Sequence, residues 1–216
     1  MVEIRKFISS SYDSNVYLIC AKEALLIDTG TGQGIHFKRL VENIEKVRSL
    51  KEITKIILTH CHFDHSGGAG KLQNLTKAEI LIHELDLSAV KRGDNVITGA
   101  RAFGGSQEPL NAKMIGEELD FNDLKLQIIH TPGHTKGSIS IYEKSTKSLF
   151  CGDTVFADSA TGRWDLPTGN YEDLYASVKK LLQLDIENLY PGHGRFVEGN
   201  GKEHVKTALE FLEGFE

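Results

Sequence analysis

The sequence predicts an α/β protein in which helices cover sheet, and three observations carry that prediction. An apolar run at 24–27 is followed by an amphipathic stretch from Ile35 to Val47 and by a second apolar run at 53–58, the strand, helix, strand unit of a helix-covered sheet. A second series of β-rich runs begins at Leu124 and ends in further amphipathic stretches. The 216 residues suffice for one large domain with a substantial core and are too few for two comfortable ones unless both are small, so residues 1–216 are expected to form a single domain.

Taken in order, Val16-Tyr17-Leu18-Ile19-Cys20 and Ala24-Leu25-Leu26-Ile27 read as neighbouring strands joined by a polar turn at Ala21-Lys22-Glu23, and Asp28-Thr29-Gly30 breaks the second. Phe37, Leu40, Val41, Ile44 and Val47 recur at three and four residues, a helix laid on sheet. Ile53 to Leu58 reads as a buried strand, a short helix then runs through Leu72 and Leu75, and Ala78 to Ile82 is a further strand. From Val90 to Gly116 the pattern lapses into Gly93, Gly99, Gly104, Gly105 and Pro109, which predicts a long irregular excursion, read as a lid that shapes the substrate pocket, with a mere insertion as the alternative. Strands are expected at 124–129, 138–142 and 148–151. Then come a helix from Tyr171 with Glu172 and Asp173 in its first turn, a strand at 186–190, and a closing helix through Val205, Ala208, Leu209 and Leu212.

The chemistry concentrates in Thr59-His60-Cys61-His62-Phe63-Asp64-His65-Ser66-Gly67-Gly68, directly after a predicted strand. His60 and His62 are two apart, so on extended chain their rings project to one side and can share a cation. Asp64 and His65 fall where the chain turns toward a helix and can point at a second position. That spacing suits two metals better than one. Further ligands stand in Gly-rich corners beside apolar runs: His134 in Pro132-Gly133-His134, Asp153 in Gly152-Asp153-Thr154, and His193 in Pro191-Gly192-His193-Gly194. His36, His83, His130 and His204 lack such settings, and His36 and His204 are expected to be exposed structural residues on helices.

These residues resemble the metallo-β-lactamase superfamily, with all seven ligand positions of its dinuclear hydrolases filled between about Ile27 and His193. The resemblance implies an αββα four-layer sandwich. It implies that His60, His62 and His134 hold one metal, that Asp64, His65 and His193 hold the other, and that Asp153 bridges. Zinc is the expected pair, and iron and manganese accept the same mixed imidazole and carboxylate shell. Asp28 resembles the family's aspartate that orients a ligand from behind, with a turn or helix-capping role as the alternative.

Two cations sharing a carboxylate can share a water whose pKa falls toward about 7, giving a hydroxide nucleophile at neutral pH. Asp64 is expected to orient that water and accept its proton. The segments Asp153-Thr154-Val155-Phe156 and Gly162-Arg163-Trp164-Asp165-Leu166-Pro167 are similar to short glyoxalase II-like thioester hydrolases, so a small thioester is the expected substrate. Full-length members grip glutathione with a helical region beyond the last histidine, for which this chain lacks the length, so another thiol carrier or a shorter thioester is expected. Arg163 is the candidate reader of a substrate carboxylate, with an ion pair to Asp165 as the alternative, and Trp164 either walls the pocket or fills the core.

A mononuclear iron persulfide dioxygenase, held by the equivalents of His60, His134 and Asp153, is the rival reading, and its members share a segment like Gly162-Arg163-Trp164-Asp165. A lactone or ester hydrolase is a further alternative, weakened by Phe156 standing where lactonases place a tyrosine. Flavin-linked diiron reductases carry Glu in place of His62, and true β-lactamases lack the bridging Asp153. A non-catalytic scaffold is hard to square with seven intact ligands.

A net charge of -5 offers no basic field for nucleic acid. No apolar run approaches the roughly 20 residues that cross a bilayer, and Met1-Val2-Glu3-Ile4-Arg5-Lys6 lacks the apolar core of a secretion signal, so a cytoplasmic protein away from membranes is expected. Cys20, Cys61 and Cys151 have no paired spacing and read as reduced thiols, Cys61 buried and facing away from its flanking ligands. The partner expected is a small-molecule substrate, with self-association left open.

Overall fold

The computed structural model describes residues 3–9, 11–158 and 160–215. Met1 and Val2 of the N-terminal stretch lie outside them. The chain forms two compact units, residues 1–114 and 115–216.

In the first unit a mixed six-stranded sheet runs in chain order: β1 (Glu3–Phe7), β2 (Val16–Cys20), β3 (Ala24–Ile27), β4 (Ile53–Ile57), β5 (Glu79–Ile82) and β6 (Ala112–Met114). β1, β2 and β3 are antiparallel and β3 to β6 parallel. β2 and β3 are buried at every position, which their unbroken apolar sequences require, and the predicted turn between them closes with Ala21 N–H donating to Glu23 O. α1 (Gly34–Val47) carries four of the five residues of the predicted stripe: Ile44 is fully buried, and Phe37, Leu40 and Val41 pack on the core beside it, while Val47 at the helix end is exposed. Full burial of a side chain such as Ile44 is worth about 1.5–3 kcal/mol, and the partly buried Phe37, Leu40 and Val41 add less each. Arg48, just past the helix, donates Nη2 to Ala21 O and Lys22 O and ties α1 to the β2–β3 turn.

α2 (Phe63–Ser66) and α3 (Ala69–Thr76) connect β4 to β5, as the apolar pattern predicts. The sequence reading did not place α4 (Glu84–Arg92). Its signals are local ones: the His83 ring accepts from Leu85 N–H at the N-cap, Glu84 and Asp86 sit in the first turn, Lys91 and Arg92 in the last, and Gly93 ends it left-handed. The excursion at 90–116 is more ordered than its glycines suggest. Leu110 and Ala112 join the core and β6 pairs with β5. Residues 98 and 103 pack on the start of α2, with Phe63 N–H donating to Thr98 O and the Phe103 ring 6.2 Å from that of Phe63.

In the second unit the sheet order is β12-β11-β10-β9-β8-β7. β7 (Glu118–Phe121), β8 (Leu124–His130), β9 (Ile139–Glu143) and β10 (Ser148–Gly152) form an antiparallel meander. β11 (Asn188–Pro191) lies parallel to β10, and β12 (Val197–Glu198) is antiparallel to β11. α5 (Tyr171–Leu181) starts as predicted, with Asn170 accepting from Asp173 N–H, and α6 (Gly201–Glu213) closes the chain. Leu174, Val178, Leu181, Val205, Ala208 and Leu212 carry the helices onto a core with Leu149 and Leu189. β1, β6, β7 and β12 escaped the sequence reading because they are short or carry mostly exposed polar residues. Among the described residues no helix is long and apolar enough to cross a membrane.

Candidate metal centre

Seven of the sequence-selected side chains divide between the units, four in the first and three in the second. In the first, β4 ends at Ile57, and the chain leaves it through Leu58 and Thr59 into extended backbone at His62, the N-cap of α2 (φ -61°, ψ 146°). His60 and His62 therefore lie on the strand exit, and Asp64 and His65 on the first turn of the helix. All four are buried. The His60 ring meets that of His62 edge-on at 4.8 Å and that of His65 at 4.1 Å, and Asp64 Oδ2 is 3.8 Å from His65 Nε2.

Asp28 organises this half. Its Oδ1 accepts from Thr59 N–H at 2.8 Å, and its Oδ2 accepts from Thr59 Oγ1 and from His65 Nδ1, both at 2.8 Å. Thr59 spends its one hydroxyl hydrogen on Asp28, so at 3.1 Å its Oγ1 accepts from His60 Nδ1–H. Both imidazoles are thereby held in the tautomer that carries its proton on Nδ1 and its lone pair on Nε2, the form that ligates a metal. Asp28 thus lies behind two of the candidate ligands, bonded to His65 directly and to His60 through Thr59.

In the second unit His134, Asp153 and His193 come from three corners. His134 follows Gly133, whose φ of +128° and whose approach to Leu174 N, 2.2 Å from where a Cβ would stand, admit only glycine. Asp153 follows a register shift between β10 and β11 at Phe150–Gly152, a bulge that re-aims the strand end. His193 follows β11 and is the most exposed of the three, at 28%. The His134 Nδ1–H donates to Arg163 O at 2.7 Å, which again leaves the lone pair on Nε2. Asp153 Oδ2 stands 3.5 Å from His134 Nε2 and 3.6 Å from His193 Nε2. These separations are long for hydrogen bonds. Two ligands each about 2.1 Å from a tetrahedral ion lie about 3.4 Å apart, so one carboxylate oxygen is spaced to share a cation with either imidazole.

Arg163 forms a bidentate pair with Asp165, at 2.8 and 2.7 Å, with both side chains exposed. Of the two roles open to it, the ion pair is present, and its main-chain carbonyl is what reaches a candidate ligand. Trp164 packs edge-on against Tyr171 at 5.5 Å and Phe215 at 5.2 Å, beside the core of the second unit. Cys61 is fully buried, and burial together with neighbouring Asp86 pushes its thiol well above the ordinary range, so it stays protonated between its two histidines. Burial pushes Cys151 up to about 12. His83 caps α4, His130 Nε2 bonds Lys136 O, His204 Nδ1 accepts from Asp158 N–H, and His36 is exposed.

Three contributors escaped the sequence reading. Thr59 relays Asp28 to His60. Asp86, 2% exposed on α4, accepts from Cys61 N–H at 2.9 Å and pins the main chain between His60 and His62. Gly162 lies so close that a Cβ there would stand 2.1 Å from Asp153 O and 2.9 Å from His134 Nδ1. Thr59 and Gly162 each open a stretch singled out for its neighbours, whereas Asp86 had no signal in the sequence.

The sequence model of the metallo-β-lactamase superfamily matches residues 11–193. A protein of Methanocaldococcus jannaschii described as a probable metallo-hydrolase is 41% identical over 215 residues, 95% of this chain and 100% of its own length. Human acyl-coenzyme A thioesterase MBLAC2 is 28% identical over 217 residues, 87% of this chain and 75% of its own. A crystal structure of a protein in a di-iron-bound form superposes with a TM-score of 0.74 at 27% identity, covering 93% of this chain and 98% of the other. Two mixed sheets with flanking helices, and this likeness, bear out the α/β sandwich expected from the sequence.

Proposed function

This chain belongs to the metallo-β-lactamase superfamily, and on that premise we propose that it is a dinuclear metal-dependent hydrolase of small thioesters, glyoxalase II-like in chemistry, with both units serving one catalytic domain. The ligands are His60, His62, Asp64, His65, His134, Asp153 and His193. The observation that carries the reading is the placement of Asp153 Oδ2 at 3.5 and 3.6 Å from two imidazole nitrogens, the spacing of a bridging carboxylate. The fixed Nδ1–H tautomers of His60, His65 and His134 fit the same donor set.

Two divalent ions held by these residues would supply Lewis acidity and would lower the pKa of a bound water toward about 7. The protein's own part is orientation. Asp28 and Thr59 fix the imidazoles, Asp64 accepts the proton of the attacking water, and residues 90–116 shape the pocket. The kinship with an acyl-coenzyme A thioesterase supports a thioester over a lactone and favours a carrier of that type over glutathione. Zinc and iron both suit the ligands, and the di-iron relative in fold gives iron standing.

The test joins elemental analysis of protein purified without added metal to a thioester hydrolysis assay and an oxygen-electrode trace with glutathione persulfide on the same sample. Two metals per chain with thioester turnover is the expected result. A single iron with oxygen uptake would replace the proposal with the dioxygenase reading.

A further inference from the structure

The first unit holds a cavity of about 370 Å³ bounded by β1, α1 and the loop after β3, within the size range of small-ligand sites. Its apolar lining comes from Phe7, Val16, Phe37 and Leu40. Its basic lining is Lys6 and Arg39, with the His36 imidazole beside them. Arg39 is exposed and makes no ion pair among the described residues. The one carboxylate there, Asp13, already accepts from Thr31 N–H through Oδ1 at 2.7 Å. Ser14 also lines the cavity, 2% exposed, with a buried hydroxyl that has no hydrogen-bond partner. Apolar walls, a basic rim and an unmatched hydroxyl together select an amphipathic anion.

The same walls are bonded to the loop that carries the candidate ligands. Ser14 N–H donates to Asp64 O at 3.1 Å, and Thr29 donates to His65 O through its N–H at 2.9 Å and its hydroxyl at 2.7 Å. Ser14 and Thr29 thus join the wall of the cavity to the main chain of Asp64 and His65.

We propose that this cavity is a binding site for a small aliphatic carboxylate, with the carboxylate at Arg39 and His36 and the chain among Phe7, Val16, Phe37 and Leu40. The site is separate from the metal ligands and does not rest on which bond the protein hydrolyses.

Decanoate is the probe, titrated calorimetrically into metal-loaded protein. One saturable site is expected. Reversing the rim charge in Arg39→Glu should weaken it about tenfold or more, Leu40→Trp should fill the cavity and remove it, and Lys125→Glu, an exposed reversal on β8, should bind as the parent does. Should Leu40→Trp unfold, the exposed Arg39→Glu decides alone. The proposal is overturned by the absence of saturable binding, by equal affinity in Arg39→Glu and the parent, which would put decanoate at the metals, or by equal weakening in Lys125→Glu.

Discussion

Asp28→Asn is the substitution that isolates the hydrogen-bond logic of the candidate metal centre. Asp28 has φ +60°, a region asparagine tolerates as well as aspartate does, so the backbone has no cause to move. The carboxylate accepts three hydrogen bonds at 2.8 Å, from Thr59 N–H, Thr59 Oγ1 and His65 Nδ1. An amide accepts through one end only. If its oxygen stays with Thr59 Oγ1 and His65, its NH2 faces the Thr59 N–H, donor against donor. If it flips, the NH2 faces His65 Nδ1 and drives that ring to the tautomer protonated at Nε2, which no longer ligates. The first arrangement leaves a buried donor unmatched at about 1–3 kcal/mol. For a chain of this size that is a fall in Tm of roughly 2–12 °C, at about 2–4 °C per kcal/mol, measured on metal-free protein. The second costs metal affinity, about 10–100-fold by analogy with other residues that orient ligands from behind. Thermal unfolding and chelator competition read the two separately. Were Asp28→Asn to match the parent in both, the tautomer argument for His60 and His65 would fail.

Other expectations follow from the same contacts. Gly162→Ala puts a methyl 2.1 Å from Asp153 O and 2.9 Å from His134 Nδ1, so it should cost about 1–3 kcal/mol and loosen both ligands, read as fewer bound metals per chain at an unaltered circular dichroism spectrum. Asp64→Asn should keep the fold and lose most thioester turnover, and a variant with the parent's kcat would remove Asp64 from the chemistry. Glu79 hydrogen-bonds Lys113 and Lys55, which lower its carboxyl from 4.5 to about 2. A lowered carboxyl pKa gives stability that is complete above about pH 4.5 and is lost as pH falls toward about 2. Full linkage would be worth about 3 kcal/mol, and with 32% of the side chain exposed we expect about 1 kcal/mol. Urea unfolding at pH 5 and pH 3 should show the parent losing that much more than Glu79→Gln, and parallel losses would refute the linkage.

The donors of the candidate centre were legible in the sequence because their signal is local. His60, His62, Asp64 and His65 sit within six residues at a strand exit, and His134, Asp153 and His193 each adjoin a glycine that ends an apolar run. What orients them was not legible, since those contacts join residues far apart in the chain. Thr59 meets Asp28 across 31 positions and Cys61 meets Asp86 across 25. His134 is fixed across 29 positions by the Arg163 carbonyl, an atom every residue type supplies. The side chain of Arg163 drew the functional reading because a guanidinium has a chemical signature, while its backbone, which has none, makes the contact. The same contrast separates the elements. β2 and β3 announced themselves by unbroken apolar runs, whereas the three-residue β6 gains its place by pairing with β5, and α4 showed only short capping and end-charge signals. Residue type and spacing thus reveal which atoms can bind a metal, and only the tertiary fold reveals which nitrogen of each ring is offered to it.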